Sequence, residues 1–168
     1  MATEQKVQIH RGLRDVLIDR TRSSFIDGDV GKLLYRGYNI DDLATKSTFE
    51  ETIYLLLYSE LPNREQLDAF DAELRANRAL PEEVLSVISI TQKSHPMDVL
   101  RTAVSALSAF DPDTEDNSAE ATLRKGIRLT AQASTIVAAH ARIREGKQPI
   151  APNSSLSHAS KFPVHAFW

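Results

Sequence analysis

The run His95-Pro96-Met97-Asp98-Val99-Leu100-Arg101-Thr102-Ala103-Val104-Ser105-Ala106-Leu107-Ser108-Ala109-Phe110 decides how this chain must fold. Pro96 suits the first helical position, where its missing N–H would have no intrahelical partner in any case. Asp98 falls in the first turn, where the helix dipole favours a carboxylate. Met97, Leu100, Val104 and Leu107 form one stripe at helical spacing. Ala103, Ala106 and Phe110 form a second, mostly of small side chains that let another helix approach closely. The remaining side holds only Thr102, Ser105 and Ser108. A helix apolar on two sides is predicted to be enclosed, so it is expected to be the central element.

Outward from this run, the neighbouring segments are helical too. Thr48 is a cap with Glu51 three residues on, a capping box. Its helix carries Ile53, Leu56 and Leu57 inward and stops at Leu61-Pro62. Asn63 with Gln66 repeats the signature for a helix whose inner face is Leu67, Phe70 and Leu74. Pro81 opens another with Val84, Leu85 and Ile88, broken at Ser94-His95. After the acidic connector Asp111 to Asn117, Asn117 and Glu120 mark the start of a long helix. It runs to about Glu145, where Gly146 and Pro149 stop it. It carries Leu129, Ala133, Ile136, Val137 and Ile143 on one side, and Ala131, Ser134, Ala138 and Ala141 on another. Gly126 inside it weakens the helix unless another backbone packs there. Two helices with small-residue faces offer more apolar surface than one small domain needs, which predicts a partner subunit.

Strand signals are confined to the start. Gly12 to Ile18 and Ser23 to Ile26 read as extended. The turn formers Asp27-Gly28-Asp29-Val30-Gly31 then lead into Lys32 to Tyr38, a small hairpin. Residues 1–19 read as a leader and 20–168 as one unit. The predicted fold is all-α with a small N-terminal β-hairpin.

The 168 residues suffice for one domain with a real core. A net charge of −3 gives no broad basic field for nucleic acid. With no cysteine, the chain has no disulfides, thiolate ligands or thiol nucleophiles. The apolar run Ile53 to Tyr58 is too short to span a bilayer, and no signal-peptide core precedes it. A cytoplasmic chain without membrane contact is expected.

No candidate site survives comparison with a plainer reading. Gly28 and Gly31 flank a turn but open no helix, so they do not make a phosphate-cradling loop. Asp111, Asp113, Glu115 and Asp116 have Asp116 and Thr122 where a calcium loop needs glycine and glutamate, so a solvated connector is the better reading. His95 precedes a helix and reads as a cap. His140 sits among Val137, Ala141 and Ile143 and reads as a core or interface histidine. His158 and His165 lie seven apart with no carboxylate spaced to complete a metal set. The expected catalytic, cofactor-binding and metal-binding residues are therefore none.

The order of motifs nonetheless resembles one family. Ser24-Phe25-Ile26-Asp27-Gly28-Asp29-Val30-Gly31-Lys32-Leu33-Leu34-Tyr35-Arg36-Gly37-Tyr38 looks like the opening of citrate synthases. Phe49-Glu50-Glu51 through Tyr58-Ser59-Glu60-Leu61-Pro62 is similar to the family's next helix. His95-Pro96-Met97-Asp98 matches its His-Pro-Met helix, and Thr135-Ile136-Val137-Ala138-Ala139 with Arg144-Glu145-Gly146-Lys147-Gln148-Pro149 its long helix and exit. Gln132-Ala133-Ser134 departs from the pattern, where relatives usually carry a proline. The resemblance spans about Gly12 to Ala159.

That resemblance implies an all-helical acyltransferase of the tricarboxylic acid cycle, condensing acetyl-CoA (or propionyl-CoA in the methylcitrate relatives) with oxaloacetate. It implies that two histidines and an aspartate do the chemistry, at positions after this chain ends. It also implies a homodimer joined through Pro96–Ala109 and Asn117–Glu145. None of His95, His140, His158 or His165 matches a catalytic position, so the chain is expected to be inactive alone. A shortened paralogue that pairs with a full-length subunit is the alternative. Beyond Ser157-His158-Ala159-Ser160 the resemblance stops. Tyr-Met-Leu-Phe-Gly written TAC ATG CTT TTT GG becomes GTA CAT GCT TTT TGG with one extra base, which encodes Val164-His165-Ala166-Phe167-Trp168. A frameshifted, truncated gene is the expectation there.

Overall fold

A computed structural model describes residues 12, 16 and 19–159. Among the described residues three short strands come first: β1 (Ser24–Asp27), β2 (Lys32–Tyr35) and β3 (Tyr38–Asn39). Six helices follow: α1 (Ile40–Lys46), α2 (Phe49–Tyr58), α3 (Arg64–Ala76), α4 (Glu82–Ile90), α5 (Pro96–Leu107) and α6 (Ala119–Arg144). Most of the leader, with most of Gly12 to Ile18, and residues 160–168 lie outside the described residues.

The sheet is antiparallel in the order β1-β2-β3, with Ser24 opposite Tyr35 and Tyr35 opposite Tyr38. Between β1 and β2 the Asp27 carboxylate accepts the backbone N–H groups of Asp29 (3.1 Å) and Val30 (3.4 Å). The sequence reads Lys32 to Tyr38 as a single strand, and the structure divides it. Arg36 and Gly37 both take positive φ, 49° and 91°, the two-residue turn whose twist matches that of paired strands. The turn aims the Arg36 guanidinium at the α2 carbonyl of Leu56 (3.1 Å), tying the sheet to the helices.

Both expected capping boxes form. Thr48 Oγ1 accepts the Glu51 N–H while Glu51 accepts the Thr48 N–H at 2.6 Å, and Asn63 and Gln66 do the same on α3. Helix α2 ends when Ser59 turns left-handed (φ 72°), two residues before Leu61-Pro62. Helix α6 is capped by Ser118 rather than Asn117, because the Ser118 hydroxyl is the group that reaches the Ala121 N–H (3.2 Å). It then runs unbroken through Gln132-Ala133-Ser134, and Gln132 Nε2 donates to the Ala79 carbonyl at 3.1 Å.

Two apolar clusters hold the helices together, and α6 is common to both. Ile53, Tyr54, Phe70 and Leu74 of α2 and α3 pack on Ile127 and Ala131. Val84, Ile88, Val99, Ala103 and Leu107 of α4 and α5 pack on Ile136 and Ala139. The organising helix is therefore α6, correcting the expectation that placed α5 at the centre. The enclosed line of α5 also differs from the one expected. It is Val99, Ala103 and Leu107, whereas Met97 is 62% exposed and Phe110, just beyond the helix, 45% exposed. Spacings of three and four admit both registers. Ala103, with its small side chain, lets α6 approach, and Val99 and Leu107 flank it one turn away on the same side.

Candidate functional site

The described histidines are each engaged structurally. His95 is the cap of α5, its Nδ1 accepting the Met97 N–H at 3.2 Å. His140 is buried, with Nε2 at 3.1 Å from the Gln92 carbonyl. His158 is buried against the Phe49 ring, centroids 5.4 Å apart. His165 lies outside the described residues. Gly28 and Gly31 sit in the β1–β2 turn and open no helix. Among the described residues, no group of three or more histidine or acidic side chains is arranged to hold a metal ion.

The connector after α5 is not simply solvated, contrary to expectation. Arg124 and Arg128, one turn apart on α6, reach up to it. Arg128 forks onto Asp111 (2.7 Å) and Asp113 (2.6 Å), and Arg124 pairs with Asp113 at 2.7 Å. The Arg128 guanidinium holds Asp111 below the usual carboxylate range, and hydrogen bonds from Arg124 and then Arg128 hold Asp113 well below it. The connector alone could not reveal this, since its partners lie 11 to 17 residues away. The cluster fixes the reversal that lays α6 back along α5.

A second polar cluster has no distinctive local signature in the sequence. Arg78, between α3 and α4, is fully buried. Its Nη1 donates to the carbonyls of Leu156 (2.8 Å) and Asn153 (3.3 Å), while its own carbonyl accepts from Thr135 Oγ1 at 2.9 Å. Burial, and then Arg75, pushes the Arg78 guanidinium below its ordinary pKa, against the opposing pull of Asp71 and Glu50. The one hint in the sequence is an arginine set between Asn77 and Ala79-Leu80 at a helix junction. Nothing local tells a buried arginine from an exposed one.

The outer face of α5 and α6 is the feature with functional shape. Met97 on α5, Phe110 beyond its end, and Leu129 and Val137 on α6 stand exposed. Leu100, Val104 and Ala133 beside them are half-buried. Val104 and Leu129 line one cleft of about 140 Å³ with Leu107, Ser108 and Lys125. Leu107 and Phe110 line another of about 300 Å³ with Leu80, Asp111, Arg128 and Gln132. Exposed apolar side chains on two adjacent helices are what an association surface needs.

A helical scaffold with a small sheet and one apolar outer face is the class these observations define. The family model described as "Citrate synthase, C-terminal domain" matches residues 12–165. The citrate synthase of Haloferax volcanii is 46% identical over 160 residues, covering 92% of this chain and 42% of that protein. The crystal structure of citrate synthase from Pyrobaculum aerophilum superposes with a TM-score of 0.88 at 36% identity, covering 98% of this chain and 47% of that one. A citrate synthase from Thermoplasma acidophilum, solved as a ternary complex with carboxymethyl coenzyme A and oxaloacetate, gives 0.87 at 28% identity, covering 95% and 42%. The chain belongs to the citrate synthase family. It spans about two-fifths of the length of the curated relatives it matches.

Proposed function

We propose that this chain is the scaffold and pairing portion of a cytoplasmic citrate synthase-type enzyme of the tricarboxylic acid cycle. The parent reaction joins the methyl carbon of acetyl-CoA to the ketone carbon of oxaloacetate. Water then releases citrate and free CoA. The methylcitrate reaction does the same with propionyl-CoA. Residues 1–19 form a leader and 20–168 carry the family scaffold. On this reading the two histidines and the aspartate that do the chemistry belong to the rest of the family sequence, and no residue here takes their roles.

The observation that carries the reading is the engagement of every described histidine in a cap, a core bond or a ring stack. Purified chain supplied with acetyl-CoA and oxaloacetate is expected to release CoA at the background rate. Turnover above background overturns the assignment of chemistry elsewhere.

The exposed row on α5 and α6 supports the second element, pairing with a like chain through Pro96–Ala109 and Asn117–Glu145. It also favours a second reading, a non-catalytic module that pairs with a full-length citrate synthase subunit. Co-purification of tagged chain with an intact citrate synthase supports that reading, and purification without it rejects it.

A further inference from the structure

Residues 153–158 are fastened to α2, α3 and the α3–α4 connector by polar bonds from Glu50, Arg75 and Arg78. Arg75 Nη1 donates to the Ser154 carbonyl at 2.8 Å. Arg78 Nη1 donates to the carbonyls of Leu156 and Asn153. Glu50, buried on the first turn of α2, accepts the His158 N–H at 2.8 Å. Phe49 stacks on the His158 ring. The segment also folds on itself, since Asn153 Oδ1 accepts the Ser155 N–H at 2.8 Å.

The base under this segment is stiff. Thr135 of α6 pins the Arg78 carbonyl, and Asp71 pairs with Arg75 at 2.6 Å. The segment itself is not. No residue of 153–158 belongs to either apolar cluster, and Asn153, Ser154 and Ser155 are exposed. Asn153 to Leu156 are held to the base by polar bonds, while His158 is buried against the Phe49 ring. The attachment is also dear to maintain, because a buried guanidinium carries a desolvation penalty that carbonyl contacts must offset. Two of its nitrogens, Nε and Nη2, are buried without a hydrogen bond. Removing a charge so placed is cheap for the global fold and expensive for the one segment it holds.

We propose that Arg78 and Glu50 form a latch and that residues 153–158 are a strap it holds, one that detaches as a unit while both apolar clusters stay closed. Local opening below the global unfolding free energy is the expected behaviour of a segment with few apolar contacts. The opening is a property of this chain, independent of the function proposed above, and the experiment reads it alone.

Native-state hydrogen exchange on the whole chain tests it. In the wild type, the His158 and Leu156 amides should exchange at least about 100-fold faster than those of Leu55 and Ile136, with weak dependence on denaturant. Arg78→Met keeps the bulk and removes the charge. It should speed the Ser155, Leu156 and His158 amides about tenfold or more while leaving Leu55 and Ile136 unchanged. Glu50→Gln should speed His158 most, because a neutral acceptor bonds more weakly than a carboxylate. Strap amides exchanging as slowly as the core in the wild type overturn the proposal, and that comparison stands even where Arg78→Met does not fold. Equal acceleration of core and strap in either variant overturns it as well.

Discussion

Gly126→Ala is the sharpest test of how α6 is packed. Gly126 sits seven residues into the 26-residue helix that both apolar clusters share. A β-carbon added there would lie 3.7 Å from Cδ2 of Leu57 on α2 and would meet no backbone atom within 4 Å outside its own helix. That is ordinary van der Waals contact, so the new methyl adds packing without displacing anything. Glycine inside a helix is less favourable than alanine by about 0.8–1.0 kcal/mol. Part of that difference is entropy lost by the freer unfolded chain. The variant should be more stable by about 1 kcal/mol and melt about 2–4 °C higher, as expected for a chain of this size. Urea unfolding followed by circular dichroism measures it, with the midpoint rising at constant slope. A variant less stable than wild type refutes the reasoning, because some other group must then press against α6 at this point.

The remaining predictions address the core, the connector and the outer face. Ile136→Ala removes a buried side chain from the α4–α5–α6 cluster and should cost about 2–5 kcal/mol in urea unfolding; a loss below 1 kcal/mol would mean the cluster collapses around the gap. Asp111 and Asp113 have folded pKa values below their unfolded ones. Their contribution is therefore complete above the ordinary carboxylate value of about 3.9 and is lost as pH falls below it. Thermal melts from pH 6 to pH 2 should fall more steeply for wild type than for Asp111→Asn, and parallel curves would show that the connector cluster does not stabilise the fold. Met97→Glu with Leu129→Glu puts charge into the exposed row and should abolish self-association at constant helical content.

Much of the fold was legible. The two capping boxes, the Pro96 start of α5 and the Gly146 stop of α6 each depend on groups within four residues, and local chemistry fixed them. What was not legible depends on distance. The choice between the Met97 and Val99 registers of α5 is made by α6, which meets it at Ile136 and Ala139 some 30 to 40 residues later. The same is true of Arg78, whose carbonyl partners at 153 and 156 belong to a different part of the chain. Asp111 and Asp113 read as solvated because the arginines that bind them show only once α6 is laid against α5. The Arg36-Gly37 turn was the exception. Its two-residue signature was local, but it was absorbed into a longer apolar run.

The claim on which the rest depends is that the α5–α6 face is built to be covered. Light scattering of the purified chain across a concentration series tests it most directly. A species of twice the chain mass is expected, reverting to the single mass in Met97→Glu/Leu129→Glu. A wild-type chain that stays monomeric at every concentration, with no dye-accessible apolar patch, would contradict it.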